Sequence, residues 1–319
     1  MYAEYLPIHA ALDDEHGEVQ GDNHAYACGR MGAHNVVIAM MGEASAATVA
    51  TDMMRTFPIR VALMVGVGGG VWSEQTDVRL GDVVVSQPCG MDSGVLQWDY
   101  GTTKKHGAFY IRSILNKPPR PVLDAMRSLK VRDRLDQSEV SAILAAMIAK
   151  NPMMANDGMT WRLGRPDQGH DELFEASYEH VSEGPCDKCD GSRLVRGRPP
   201  RAVDGPRIHY GNIASFKETV KHGPTRDRIA QEESILCFET EAEGLMSTFP
   251  HVVIRGVCDY ADSHETARRR WRGYAAVAAS AYAKILLLRM PAVDLTTTPP
   301  ASEVTGRKTP SRPGQLKLD

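Results

Sequence analysis

Strand-like apolar runs alternate along this chain with segments of helical character. The runs RVALMVG (60–66), ILCFE (235–239) and VVIRGVC (252–258) are rich in apolar and β-branched residues, which is typical of buried strands. Helical segments are predicted between and after them, at 45–57, 120–132, 138–150, 224–233, 242–249 and 271–288. This order of elements predicts an α/β fold arranged as a three-layer α/β/α sandwich.

Composition narrows the class of protein. With 319 residues, of which 42% are hydrophobic and 24% charged, the chain can bury a large core. A net charge of -3 argues against nucleic-acid binding through a basic face. No apolar run reaches the roughly 18 residues of a membrane span, and the N-terminus does not resemble a signal peptide. Most of the six cysteines lie in or near apolar segments, which suits reduced thiols in the cytoplasm.

The alternation is interrupted once and then ends before the C-terminus. Residues 151 to about 206 are rich in Pro, Gly, Asp and Arg, and are predicted to be an irregular insertion in a domain that spans 1–292. Residues 293–319 are mainly Thr, Pro, Ser, Lys and Arg, with almost nothing to bury, so this tail is predicted to be disordered.

The segment VVIRGVCDYAD brings an arginine and an aspartate to the end of a predicted strand. Arg255 and Asp259 lie four residues apart, so they share one face of an extended strand at roughly 13 Å. A turn at the strand end could direct both into one pocket, where α/β enzymes keep their acids and bases. The alternative is that Asp259 only caps the next helix.

Gly68, Gly69 and Gly70 follow a predicted buried strand. Glycines allow a backbone to approach a ligand and to point N–H groups at it. The pattern is neither GxGxxG nor a P-loop, which argues against those two kinds of nucleotide site. The alternative is a tight turn that needs positive φ at several positions.

Two further motifs could carry chemistry. Glu239, Glu241 and Glu243 alternate after a strand, where carboxylates can accept hydrogen bonds from a sugar diol; acids favoured by a helix N-terminus are the alternative. Cys186 and Cys189 have the spacing of a zinc knuckle, but a second pair is missing, so reduced thiols in a polar loop are the alternative. The arginines that follow, at 193, 196, 198 and 201, are predicted to form a solvated face, with an anion site as the weaker alternative.

Taken together, these motifs resemble one family. GVGGGV with RLGDVVVSQP, SGVLQWDYG, RIHYGNIAS, HGPTRDRIA, ILCFETEAEGLM and VVIRGVCDYADSH occur in the order found in the nucleoside phosphorylase and nucleosidase family. The resemblance covers residues 9 to 290 and is strongest to a fungal branch that often forms the N-terminal domain of NLR-like proteins. It implies an α/β/α sandwich around a mixed, partly barrel-like sheet, and cleavage of the N-glycosidic bond of a purine nucleoside or nucleotide.

The resemblance also implies roles for particular residues. Asp259 matches the acid that protonates N7 of the leaving base, Glu241 the residue that holds the ribose hydroxyls, and Arg255 a residue near the nucleophile. The remaining substrate-binding positions that it implies are Gly68, Gly69, Gly70, Thr219, Val220 and Thr240. This chemistry needs no metal and no other cofactor, because a proton donor and an ordered water suffice. Relatives are dimers, trimers or hexamers, so a homo-oligomer is expected.

The chain departs from the family pattern in several places. Relatives open with a buried strand whose glutamate orients the nucleophile; the matching residue is Glu4, with no strand before it. Either the chain lacks part of the domain or its activity is impaired. Thr240 replaces a methionine beneath the sugar, and Glu243 replaces an alanine. Phe216 and Lys217 replace a Gly-Asn pair and are expected to narrow or remodel the pocket.

Water is the expected nucleophile rather than phosphate. Val65 and Val67 stand where phosphorylases of the family carry phosphate-binding or hydroxyl side chains, and a phosphate dianion needs charge-assisted donors. Phosphate stays a possible second partner, and Lys104, Lys105 and the 193–201 arginines are candidates for a 5′-phosphate. The alternative function is a catalytically impaired domain that binds a nucleoside for signalling.

Overall fold

A computed structural model gives the fold of the chain. It describes residues 2–20, 24–40, 46–89, 93–97, 102–103, 109–110, 117–136, 138–155, 163–181, 186–201, 204–242, 249–264, 266–296 and 298–304. The strands are β1 Asp14–Gln20, β2 Ala25–Met31, β3 His34–Ala39, β4 Ala62–Gly70, β5 Val83–Ser86, β6 Val95–Gln97, β7 Thr102–Thr103, β8 Phe109–Tyr110, β9 Ile208–Ser215, β10 Ile235–Glu239 and β11 His251–Asp259. The helices are α1 Tyr2–Ala10, α2 Ala46–Thr56, α3 Arg120–Leu135, α4 Ser138–Lys150, α5 Gly223–Glu233, α6 Thr266–Leu288, α7 Ala292–Thr296 and α8 Ala301–Val304.

The central sheet is mixed and closes on itself. Its strand order is β10-β4-β11-β5-β9-β6, and β10 also pairs with β9, so five of the strands form a ring. β4 and β11 are parallel, whereas β10 runs antiparallel to β4 and β5 antiparallel to β11. Helices pack against this sheet, and α6 covers β11, β4 and β5. The predicted α/β class, including its partly barrel-like sheet, is confirmed.

The pairing of β4 with its two neighbours brings the ends of three strands together. Gly69 is opposite Asp259 on β11 and opposite Phe238 on β10. The carboxyl ends of β4 and β11 therefore meet at one edge of the ring, beside the short antiparallel strand β10. This edge is the place where α/β proteins usually bind their ligands.

Helix α6 lies unusually close to the sheet. A Cβ atom on Gly256 would come within 1.9 Å of the carbonyl oxygen of Ala275 in α6. The facing side of the helix is built from small residues that are fully buried, including Ala275, Ala278 and Ala279. The predicted alanine-rich closing helix is confirmed, and it begins at Thr266, five residues earlier than expected.

Two elements near the N-terminus were not expected from sequence. Residues 2–10, where no structure was predicted, form helix α1, which packs on α6 and β4. The polar run DEHGEVQ forms strand β1, which pairs with β2 in a separate antiparallel sheet of β1, β2 and β3. Neither segment has the apolar periodicity by which strands and helices are recognised. Across the described residues, no helix combines the length and apolarity needed to cross a membrane.

The described part of the insertion is irregular, and two of its four clustered arginines, Arg198 and Arg201, do not belong to a solvated face, whereas Arg196 is exposed. Arg201 makes a bidentate ion pair with the buried Asp82, at 2.6 and 2.7 Å, and Asp82 also accepts a hydrogen bond from His209. Burial by itself would raise the pKa of Asp82, but the hydrogen bonds from His209 and Arg201 lower it to about 2. Arg198 contacts Asp171 and the hydroxyl of Tyr260. These two arginines therefore anchor the insertion to the domain.

Part of the tail that was predicted to be disordered packs on the domain. Ala301 is 1% exposed, lies in a cluster with Met54 and Phe249, and donates its N–H to the carbonyl of Ile59 over 2.7 Å. Arg60 donates hydrogen bonds to the carbonyls of Thr296 and Thr298. The prediction of disorder is therefore wrong for residues 293–296 and 298–304. These residues have no apolar pattern, but a few contacts with the domain offset the entropy cost of ordering them. Residues 305–319 lie outside the described part, and their disorder stays a prediction.

Truncation after Pro291 is expected to lower the melting temperature by roughly 2–8 °C. Removing helices α7 and α8 exposes Met54 and Phe249, a loss of about 1–2 kcal/mol, and each kcal/mol corresponds to about 2–4 °C in a domain of this size. Differential scanning calorimetry measures the change. Truncation after Val304 is the control and should leave the melting temperature unchanged; equal values for both truncations and the full chain would show that α8 contributes nothing.

Candidate active site

A cleft of about 550 Å³, including its solvent-open mouth, lies where β4, β10 and β11 end. This size suits a small-molecule ligand. Its lining includes eight residues singled out from the sequence: Glu4, Gly68, Gly69, Thr219, Val220, Thr240, Glu241 and Asp259. Two others lie outside the lining: Arg255 is buried behind it, and Gly70, the last residue of β4, faces Val257 and Val78. The structure thus brings together residues from five distant parts of the sequence.

Asp259 is held in a fixed orientation at the end of β11. Its Oδ1 atom accepts a hydrogen bond from the N–H of Ala261 over 2.8 Å, and the Sγ atom of Cys258 lies 3.4 Å from Oδ2. Ala261 has a positive φ of 50°, an uncommon conformation for a residue with a Cβ, and this turn points its N–H back at Asp259. This hydrogen bond lies within the turn, five residues before helix α6 begins at Thr266, and the side chain of Asp259 lines the cleft.

The glycines of β4 make room for the side chains around them. They belong to the strand itself, and no positive φ occurs at Gly66, Gly68, Gly69 or Gly70. The turn considered from the sequence is therefore wrong. A Cβ on Gly69 would lie 2.5 Å from Oδ1 of Asp259, and one on Gly66 would lie 2.0 Å from Nη1 of Arg255. Only glycine, which has no Cβ atom, leaves room for the side chains of Asp259 and Arg255.

Arg255 joins two glutamates behind the cleft. It is 1% exposed, and its Nη2 atom lies 2.5 Å from Glu239, while Nη1 lies 3.1 Å from Glu241. Burial by itself would lower the pKa of Arg255, but the charges of Glu239, Glu241 and Glu4 raise it overall, so the guanidinium stays charged. Glu239 also accepts hydrogen bonds from the N–H groups of Glu241 and Ala242. This network fixes the segment that carries Glu241.

Glu241 combines a fixed position with access to the cleft. One of its oxygens is bound by Arg255, yet about a third of the side chain, 34%, is exposed. Thr240 beside it also lines the cleft. Glu243, the third glutamate of the motif, lies outside the described residues. A partly exposed carboxylate in this position can accept hydrogen bonds from a ligand that carries hydroxyl groups.

Glu4 reaches the cleft from helix α1 rather than from a strand. Its Oε1 atom accepts a hydrogen bond from Nη2 of Arg272, on helix α6, over 3.1 Å. Both residues line the cleft. The packing of α1 on α6 therefore places an N-terminal carboxylate beside residues that lie some 240 positions later in the chain.

Three residues that line the cleft were given no role from the sequence. Phe238 and Cys258 lie within recognised motifs, next to residues that were singled out, whereas Arg272 lies in helix α6, belongs to no recognised motif and reaches the site only through tertiary packing. Glu239, one of the alternating glutamates, also lines the cleft. Phe216, which was expected to narrow the pocket, is not in the lining of the cleft. Its ring packs on that of Phe238, with the two ring centroids 5.6 Å apart.

The cations considered for a 5′-phosphate do not gather at the cleft. Lys104 and Lys105 lie outside the described residues. Arg198 contacts Asp171 and Tyr260. Arg201 forms ion pairs with Asp77 and Asp82, and Arg193 forms one with Glu175. Among the described lining residues the cation is Arg272, which pairs with Glu4.

The model of the phosphorylase superfamily matches residues 2–173, more than half of the chain. The chain belongs to the phosphorylase superfamily. It is also 40% identical over 286 residues to a nucleotide-binding leucine-rich repeat (NLR)-like protein from Hyaloscypha variabilis. That match covers 87% of this chain and 27% of the relative, so the chain spans about a quarter of the relative's length.

Solved structures with the same fold include two bacterial proteins. The 5′-methylthioadenosine/S-adenosylhomocysteine nucleosidase of S. pneumoniae, with a transition-state inhibitor, is 15% identical with a TM-score of 0.56, covering 91% of this chain and 96% of that one. Futalosine hydrolase of Helicobacter pylori is 14% identical with a TM-score of 0.54, covering 90% and 94% of the two chains. At these identities the likeness establishes the fold.

Proposed function

We propose that this domain cleaves the N-glycosidic bond of a purine nucleoside or nucleotide with water as the nucleophile. The observation that carries this proposal is the convergence of Glu4, Glu241 and Asp259 in one cleft beside the backbone of Gly68 and Gly69. Three carboxylates at different positions suit a reaction in which one group protonates the leaving base, one binds the sugar and one directs water. The same fold in nucleosidases of known structure supports this assignment.

Asp259 is the proposed general acid. Negative charge builds on a purine as its bond to the sugar breaks, so a proton delivered to N7 makes the base a better leaving group. The N–H of Ala261 holds Oδ1 of Asp259 in place, and the carboxyl group lines the cleft, where it can face the base. A positioned general acid contributes typically about 10²–10⁴-fold to the rate.

Glu241 is the proposed acceptor for the ribose hydroxyls. Its carboxylate is partly exposed to the cleft and is bound from behind by Arg255. Arg255 thus acts as a positioning residue, because it lies outside the lining and contacts the ligand only through Glu241. Thr219 and Val220, in the loop between β9 and α5, are proposed to lie against the base, and Thr240 against the sugar.

Glu4 is the proposed residue that orients the attacking water. The ion pair with Arg272 fixes one of its oxygens. Val67 lines the cleft at the point where a phosphate would need a donor, and the guanidinium groups nearby are paired with carboxylates. These features favour water over phosphate, because a phosphate dianion needs charge-assisted hydrogen bonds.

A second candidate function is nucleoside binding for signalling, without turnover. The NLR-like relative favours it, since this chain corresponds to only 27% of that protein. A domain at one end of a signalling protein could report ligand occupancy rather than make product. The two functions differ in one measurable property, the release of free base.

Incubation with adenosine, inosine, 5′-methylthioadenosine, AMP and ATP is expected to release free base from at least one of them. Chromatography detects the base, and the rate should not depend on added phosphate. Glu241→Ala should reduce both substrate binding and turnover, because the sugar diol loses its acceptor. Glu232→Gln, on the exposed side of α5, is the matched control and should behave as wild type.

Three outcomes separate the possibilities. A rate that rises with phosphate and yields ribose 1-phosphate would replace water with phosphate as the nucleophile. Ligand binding by calorimetry without release of base from any substrate would favour the signalling function. Absence of both binding and release would contradict the assignment of the cleft as a nucleoside site.

A further inference from the structure

Three metal-ligating side chains gather in the insertion, far along the chain from the residues of the cleft. Ligand atoms of His180, Cys186 and Cys189 all lie within 4.8 Å of one another. None of the three is in the lining of the cleft. In the sequence His180 precedes the cysteine pair by six residues, and the fold brings its ring to the two sulfur atoms.

The local backbone is suited to a metal. Cys186–Lys188 form a turn of 3₁₀ helix, and the N–H of Cys189 donates to the carbonyl of Cys186 over 2.9 Å. This turn directs both sulfur atoms to the same side. In a tetrahedral zinc site with Zn–S bonds of about 2.3 Å, neighbouring ligand atoms are about 3.8 Å apart. The observed separations therefore need to close by no more than about 1 Å.

Cys186 and Cys189 differ in burial from the cysteines of the core. Cys28, Cys237 and Cys258 are buried in the core, where burial raises the pKa of Cys28 and Cys237. They fill apolar space as small hydrophobic side chains do. Cys186 and Cys189 are only half-buried, in a polar stretch with little core to fill. Core packing therefore does not explain the presence of these two cysteines, whereas binding of a metal ion would explain it.

We propose that His180, Cys186 and Cys189 supply three ligands to a zinc ion that stabilises the insertion, with a water molecule in the open fourth position. The ion would tie the segment around residue 180 to the turn at 186–189. Zn²⁺ is the metal of choice for thiolate and imidazole ligands in a tetrahedral arrangement.

The site supports the segment that follows Asp259. The N–H of His180 donates to Oγ of Ser263 over 2.9 Å. His264 stacks on Phe174 with ring centroids 4.1 Å apart, and its ring lies 5.5 Å from that of His180. A metal that fixes His180 therefore also fixes the surface on which residues 263 and 264 rest.

Metal analysis tests the proposal directly. Protein purified with reductant and without chelator should contain about one zinc per chain, and exchange with Co²⁺ should give the visible absorption of a tetrahedral thiolate site. Cys186→Ser and His180→Ala should each lower the zinc content at least about tenfold. Cys89→Ser, at an exposed free cysteine, is the matched control and should keep the full content.

A second measurement uses the unaltered chain, so that failure of a variant to fold does not decide the matter. Chelation should lower the melting temperature of wild type, and added Zn²⁺ should restore it, since metal binding contributes to folding free energy. Wild type that contains less than about 0.1 zinc per chain and gives no Co²⁺ spectrum would overturn the proposal. So would a Cys186→Ser variant that binds zinc as tightly as the Cys89→Ser control.

Discussion

Replacement of Asp259 by asparagine is expected to slow the release of base by about 10²-fold or more. Asparagine has the same shape and can still accept the hydrogen bond from the N–H of Ala261, so the fold and the cleft should be preserved. It cannot deliver a proton to the departing base. Ligand affinity should fall far less than the rate, because Glu241 and the strand at Gly68 and Gly69 remain in place.

The pH profile gives an independent check on this role. Activity of wild type should require a protonated group when the base departs, and that limb of the profile should disappear in Asp259→Asn. Asp227→Asn, at a half-exposed carboxylate on α5, is the control and should keep both the rate and the profile. An Asp259→Asn variant as active as wild type would remove this residue from the mechanism.

Replacement of Arg255 by methionine is expected to destabilise the protein by roughly 3–5 kcal/mol. The change leaves Glu239, itself 4% exposed, without its counter-charge, and it removes the group that holds Glu241. Breaking one side of a buried ion pair costs much more than the pair contributes, because the remaining charge stays away from water. Urea unfolding measures the loss as a lower midpoint.

A double substitution distinguishes loss of charge pairing from loss of packing. Arg255→Met combined with Glu239→Gln should recover part of the stability, since the uncompensated charge is removed together with its partner. The exposed pair Arg228 and Glu232 on α5 serves as a comparison, and Arg228→Met should cost less than about 1 kcal/mol. An Arg255→Met variant with an unchanged midpoint would show that this network does not hold the strand ends together.

The site depends on how closely the strands approach one another. Asp259 and Arg255 both project across β4, and the glycines at 66 and 69 are the positions over which they pass. A methyl group at residue 66 would meet the guanidinium of Arg255, and one at residue 69 would meet both the carboxylate of Asp259 and the backbone nitrogen of Ala261. The glycine-rich segment therefore contributes to the site by making room for side chains of the neighbouring strand β11. Its own backbone at Gly68 and Gly69 lines the cleft.

The sequence by itself determined the order of the elements and most of the cleft. Apolar runs and helical periodicity are local properties, so β4, β10, β11, α3, α4 and α6 could be predicted with errors of a few residues at their ends. The resemblance to the nucleoside phosphorylase and nucleosidase family, which rests on the order of the motifs, indicated Asp259, Glu241, Thr219 and Val220. The predicted class of fold rested on the same local signals.

The tertiary structure decided what distant segments do together. The closure of the sheet through β10 and β9 and the position of Glu4 against Arg272 join residues far apart in sequence. His180 is only six residues from Cys186, but the path of the chain between them had to be known before their side chains could be placed together. The burial of Arg198 and Arg201 and the docking of Ala301 are of the same kind. Such contacts produce no repeating pattern in the sequence. The residues around one partner do not indicate which residue it will contact, and only the fold brings the two within bonding distance.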